Sequence, residues 1–230
     1  MAAVTGTGAD RRSLLDRARL YLVCDAHPNG RDLGGFLTGC LGAGVDVVQL
    51  RDKLADDRAL LDAGKVVRSV SATHNALFIL NDRVDLVAAL EADGVHIGQQ
   101  DMPVARAREL LGADRLIGLS THTSAQVDDA DGVDYLGVGP VFQTPTKAGR
   151  PAVGTALVRY ATANARVPFF AIGGIDPTTV GSVVAAGAQR VAVVRALTEA
   201  DDPASVARSL CAATSAASAG DHREAGVGAT

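Results

Sequence analysis

Gln49, Arg51 and Lys53 stand two residues apart in the stretch VVQLRDK, directly after an apolar run. Side chains in a strand alternate faces, so the amide, the guanidinium and the ammonium all point the same way. Such a trio suits a strongly anionic ligand, because arginine grips phosphate oxygens in pairs and lysine adds a point charge. Polar residues also gather where later apolar runs end: Asn81-Asp82, His96 to Asp101, Ser120-Thr121-His122, GPVFQTPTKAG and Gly173-Gly174. Asp82 and Asp101 offer the one or two carboxylates that magnesium takes beside substrate phosphate and water. Lys147 adds another point charge. Gly173-Gly174 suits an anion held on backbone N–H groups, and Thr144 and Thr146, bracketing Pro145, offer hydroxyls to a second anion.

A strand-to-helix loop is polar in any case, so no one of these stretches is diagnostic. Their combination is. His96 reads either as a hydrogen-bonded core residue or as a ligand-facing one, because its strand runs on to Asp101. His122 reads as a structural or loop residue, and His27 and His74 carry no signal. No Ser-His-Asp order, zincin motif or cysteine nucleophile stands out, so covalent catalysis is unsupported.

Eight short apolar runs position these residues: 20–24, 45–50, 76–80, 94–97, 116–120, 135–139, 169–172 and 191–194. Helical patterns lie between them. Leu33, Phe36, Leu37, Cys40 and Leu41 mark one helix face. Asp176-Pro177 and Asp202-Pro203 each read as an N-cap followed by the first helical residue, and Gly187 as a stop. Strict alternation at this length predicts a single-domain α/β fold, a (β/α)8 TIM barrel over 13–215 with its site at the C-terminal strand ends. The runner-up is an open doubly wound sheet, but the first strand is followed by DAHPNGRD in place of G-x-G-x-x-G. Residues 1–12 and 216–230, small, polar and aperiodic, are expected to be disordered.

Composition narrows the class. With 47% hydrophobic residues the chain can build a large core, and a formal charge of −4 argues against non-specific nucleic-acid binding. Phosphate chemistry would have to rest on a local cluster of cations. Cys24, Cys40 and Cys211 lack metal-ligand spacing and read as small buried hydrophobes in a reducing compartment. No run is long enough to span a bilayer and no secretory signal is evident, so a soluble cytoplasmic protein is expected, with no nucleic-acid or membrane partner. A homo-oligomer is left open.

From about Leu20 to Arg208 the chain resembles the thiamine phosphate synthase family, through QLRDK (49–53), ILND (79–82), DGVHIGQQD (93–101), GLSTHT (118–123), GVGPVFQTPTK (137–147) and AIGGI (171–175). The resemblance implies a (β/α)8 barrel that joins hydroxymethylpyrimidine diphosphate to a thiazole phosphate with Mg2+, releasing pyrophosphate. It implies that Gln49, Arg51, Lys53, Asn81 and Lys147 hold the pyrimidine diphosphate and that Asp82 and Asp101 bind magnesium. Ser120 would address the pyrimidine, and Thr144, Thr146 and Gly174 would receive the thiazole phosphate with His96 nearby. Arg51, Lys53, Ser120 and Lys147 would stand next to the chemistry, a dissociative substitution in which the thiazole nitrogen captures a methylene cation. One departure is visible. Members often place a small serine after strand eight, where this chain has Val194-Arg195. Rival readings are a thiazole tautomerase-like isomerase, a sugar-phosphate isomerase and a non-catalytic phosphate-binding barrel.

Overall fold

Apolar runs flanked by amphipathic stretches must bury two faces, and in this chain they do so by closing on themselves. The computed structural model describes residues 6–144 and 152–224, with side chains of the last helix described as far as residue 215. Strands β1 (Leu20–Cys24), β2 (Val47–Leu50), β3 (Leu77–Asn81), β4 (Gly94–Ile97), β5 (Leu116–Thr121), β6 (Tyr135–Val138), β7 (Phe169–Ile172) and β8 (Val191–Val193) pair in parallel, in chain order, into a closed barrel. The (β/α)8 expectation holds, and the open doubly wound alternative falls because β8 pairs with β1.

The helices are α1 (Gly8–Arg17), α2 (Leu33–Gly42), α3 (Asp57–Thr73), α4 (Val104–Leu111), α5 (Ser124–Asp128), α6 (Gly154–Asn164), α7 (Val180–Val184), α8 (Arg195–Thr198) and α9 (Pro203–Glu224). A short 3-10 turn, Val84–Leu86, stands between β3 and β4. None of the helices among the described residues is long and apolar enough to cross a membrane.

Alternation along each strand divides the core into two. Val48, Leu50, Phe78 and Leu80 face outward and pack with the helices, including the predicted α2 face of Leu33, Phe36, Leu37, Cys40 and Leu41. Tyr21, Val47, Leu77, Ile79, Tyr135 and Phe170 face inward and fill the barrel. Cys24 and Cys40 are buried, as expected of small hydrophobes, and burial pushes the Cys40 thiol up to about 12. Asp176 caps its turn through Thr178 N at 2.8 Å and Thr179 N at 3.0 Å, although regular helix begins only at Val180.

The N-terminal end of the barrel is a stability face. Asp46, Asp93 and Asp134 each directly precede an even strand, and each accepts a backbone N–H from the chain beside it. Leu20 N donates to Asp46 at 3.0 Å, Phe78 N to Asp93 at 2.9 Å and Ile117 N to Asp134 at 2.8 Å. Arginines complete two of these anchors, with Arg11 and Arg68 on Asp93 and Arg12 and Arg108 on Asp134. Leu15 and Ala18, at the end of α1, pack into the inner cluster and plug this end.

Two expectations about the chain ends need correction. Residues 8–12 are helical, not disordered, because a Thr7–Asp10 capping box starts α1 and a buried Arg11–Asp93 pair docks it. At the other end α9 runs on to Glu224, past residue 215.

Candidate active site

At the C-terminal ends of the strands the barrel opens into a cavity of about 710 Å3. Gln49, Arg51, Lys53, Asn81, Asp82, His96, Asp101, Ser120, Thr144, Gly174, Val194 and Arg195, predicted from widely separated stretches, all line it. Thr146 and Lys147 lie outside the described residues.

One wall is charged. β2 ends at Leu50 and the chain leaves with Arg51 N bonded to Cys24 O at 2.8 Å, which carries the strand direction one residue further. Asp52 then accepts from Leu54 N and Ala55 N, both at 3.0 Å, and holds the loop that displays Lys53. The Arg51 side chain has no hydrogen-bond or ion-pair partner among the described residues. A half-exposed guanidinium so placed is available to an incoming anion.

Facing it, Asp82 sits in the left-handed region at φ 61°, held by Asp82 N donating to His96 O at 2.9 Å. Its Oδ2 accepts from Asn81 Nδ2 at 2.6 Å and lies 3.9 Å from Lys53 Nζ. Asp101 closes a tight turn in which Gly98 N donates to its Oδ2 at 2.7 Å. Burial raises the Asp82 pKa, and the adjacent, hydrogen-bonded Asp101 carboxyl raises it further, against Lys53 and Asn81. Two carboxyls pressed together are electrostatically costly unless a proton or a cation lies between them. An all-oxygen donor set of this kind fits a hard divalent ion such as magnesium, which needs only one or two protein carboxylates.

The opposite wall is made of backbone. Gly173 (φ 107°) and Gly174 (φ 65°) follow β7 in conformations other residues rarely adopt. A Cβ on Gly174 would meet Phe142 Cβ at 2.8 Å, so side chains are excluded there and the backbone stays open to the cavity. Phe142 N bonds Gly173 O at 2.9 Å and Val141 N bonds Ile172 O at 2.9 Å, lacing the loop after β6 to the loop after β7. Val194 and Arg195 follow β8, and the Arg195 guanidinium points to Glu199 at 3.9 Å, one turn along α8. His122 bonds the carbonyl of Gly139 through Nδ1 and so acts as a loop brace, as its sequence context suggested.

The floor is polar, and little in the sequence announces it. Gln49 is only 4% exposed and donates to the Tyr21 hydroxyl at 2.7 Å, so it lies well below Arg51 and Lys53. Tyr21 meets Tyr135 at 3.0 Å, and His96 bridges Tyr135 and Ser120. Tyr21 and Tyr135 went unnoticed because a tyrosine in an apolar strand is ordinary core material. The available signal was their strand parity, since Tyr21 shares its face with Val23 and Tyr135 with Gly137.

A family model described as thiamine monophosphate synthase matches residues 20–197. A thiamine-phosphate synthase from Gloeobacter violaceus is 53% identical over 201 residues, 86% of this chain; the chain spans only 58% of that protein's length. One from Arthrobacter is 45% identical and is matched over 98% of its length by 89% of this chain. The solved thiamine phosphate pyrophosphorylase from Pyrococcus furiosus superposes with a TM-score of 0.79 at 29% identity, covering 90% of this chain and 98% of its own.

Proposed function

The chain belongs to the thiamine monophosphate synthase family, and on that footing we propose that it couples hydroxymethylpyrimidine diphosphate to a thiazole phosphate, releasing pyrophosphate and forming thiamine phosphate. The observation that carries the proposal is the opposition, within one cavity, of a cation-and-carboxylate wall and a glycine-loop wall. Two anionic groups can be held apart in it with a ring between them.

In this scheme Arg51, Lys53, Asn81 and Lys147 hold the diphosphate, with Asp82 and Asp101 holding magnesium beside it. The metal supplies positive charge to diphosphate oxygens. Gln49 is too deep for the diphosphate and serves the pyrimidine ring, with Ser120 and His96. Thr144, Thr146 and Gly174, with the backbone at Val194-Arg195, receive the thiazole phosphate. The methylene C–O bond breaks, its electron pair leaves with pyrophosphate, and the thiazole nitrogen donates its pair to form the new C–N bond. Arg51 and Lys53 stabilise the charge that collects on the leaving group, a contribution worth about 2–4 kcal/mol per desolvated contact. No general base is required. The free thiols of Cys24, Cys40 and Cys211 support a reducing, cytoplasmic setting.

The test is product formation from the two substrates, followed by mass spectrometry, with and without EDTA. Thiamine phosphate and pyrophosphate in equal amounts are expected, and chelation should abolish them. Isomerisation of the thiazole phosphate alone would overturn the assignment in favour of the tautomerase.

A further inference from the structure

The polar chain on the cavity floor has a direction. The side-chain amide nitrogen of Gln49 donates to Tyr21 Oη at 2.7 Å. An amide nitrogen cannot accept, so the single Tyr21 proton is left for Tyr135 Oη, 3.0 Å away. The Tyr135 proton in turn faces His96 Nδ1 at 3.3 Å. With Nδ1 accepting, the ring hydrogen stands on Nε2, which donates to Ser120 Oγ at 2.9 Å. Two groups are left facing the cavity: the Gln49 carbonyl oxygen, an acceptor, and the Ser120 hydroxyl hydrogen, a donor.

From this we infer that Tyr21, Tyr135 and His96 are positioning residues that set the floor to read an aminopyrimidine edge, an exocyclic N–H beside a ring nitrogen, and to reject the corresponding oxo ring. The inference rests on the pyrimidine-side reading above. Turning the Gln49 amide over would reverse every proton in the chain and present N–H and a lone pair to the cavity, the match for an oxo ring beside a ring N–H. One coupled flip therefore separates two specificities. Burial raises both phenol pKa values, which keeps one proton on each oxygen across the working range. Missing side chains give the chain its room: a Cβ on Gly118 would lie 2.1 Å from Tyr135 Cζ, and one on Gly137 3.1 Å from His96 Cε1.

The test compares kcat/KM for the aminopyrimidine diphosphate and for its analogue with oxygen in place of the amino group, in wild type, Tyr21→Phe and Tyr135→Phe. Wild type should prefer the amino substrate by roughly a hundredfold or more, because a mismatched ring leaves buried polar groups unpaired. Each variant should narrow that preference about tenfold, with the KM for thiazole phosphate within about twofold of wild type. A general loss of fit would slow both substrates equally, so an unchanged preference in folded variants overturns the inference. Nitrogen-15 NMR of the wild-type histidines is the second measurement and needs no variant. A His96 proton on Nε2 supports the chain direction, and one on Nδ1 overturns it. If wild type forms no thiamine phosphate at all, the functional reading falls, and the tautomer still decides the direction of the chain.

Discussion

Asp82 joins an unfavourable backbone angle to an unfavourable charge. Its carboxyl is raised by burial and then by Asp101, so its charged form is the disfavoured one. A group raised in the fold contributes fully below its ordinary value of 3.8 and loses that contribution as pH rises through the shifted one. At neutral pH, without metal, ionised Asp82 should therefore oppose folding. Asp82→Asn, which also tolerates the left-handed angle, should raise the melting temperature in EDTA at pH 7 by about 2–4 °C while lowering turnover about a hundredfold. Calorimetry should see the gain shrink as the pH is brought towards 4; a constant gain would point to backbone relief alone. Arg195 makes the opposite case. Its loose 3.9 Å contact with Glu199 agrees with a surface pair of little energetic weight, and the neighbouring glycine-loop wall is already built from backbone. Arg195→Ser should leave the KM for thiazole phosphate within about twofold, whereas a tenfold rise would assign it a phosphate contact.

At the scale of elements, α1 is a plug held by charge. Arg11 is 6% exposed and bonds Asp93 at 2.9 Å, and Asp93 also serves Arg68 and the start of β3. Removing Arg11 leaves a buried carboxylate with one guanidinium, at the low end of the 3–5 kcal/mol typical of a broken buried pair, so about 3 kcal/mol is expected for Arg11→Ala. Urea unfolding would measure it. Because α1 lies at the end of the barrel away from the site, kcat at 25 °C should be unchanged. A fall in kcat would mean that the plug shapes the floor. The helix was missed in the sequence because Thr7 and Asp10 look like any polar terminus, and the ion pair that docks it needs Asp93, 82 residues away.

A closed barrel has no edge at which to come apart piecemeal, so the molecule should unfold as one unit. Tryptophan is absent and tyrosines number three. Tyr21 and Tyr135 are buried against one another inside the barrel, so near-ultraviolet circular dichroism reports mainly on that interior. Its loss in urea should coincide with the loss of far-ultraviolet signal. Separate midpoints would show that the floor melts before the barrel.

What was legible in the sequence follows from short-range rules. Strand parity aimed Gln49 and Arg51 at one cavity, although β2 ends at Leu50 and Lys53 reaches that cavity through its loop. Apolar runs marked eight strands, and polar residues at their ends marked the rim, because periodicity is a property of neighbours. Depth was not legible. Gln49 belongs to the floor and Lys53 to the rim, and that separation appears only when β2 is set between β1 and β3 in a fixed register. Nor was the meeting of Tyr21 with Tyr135, 114 residues apart; the pairing of Asp82 with Asp101 was legible, but not the direct hydrogen bond and burial that raise the Asp82 carboxyl. Closure decided these, since the distance across a barrel is set by strand number and stagger and not by any local run of residues.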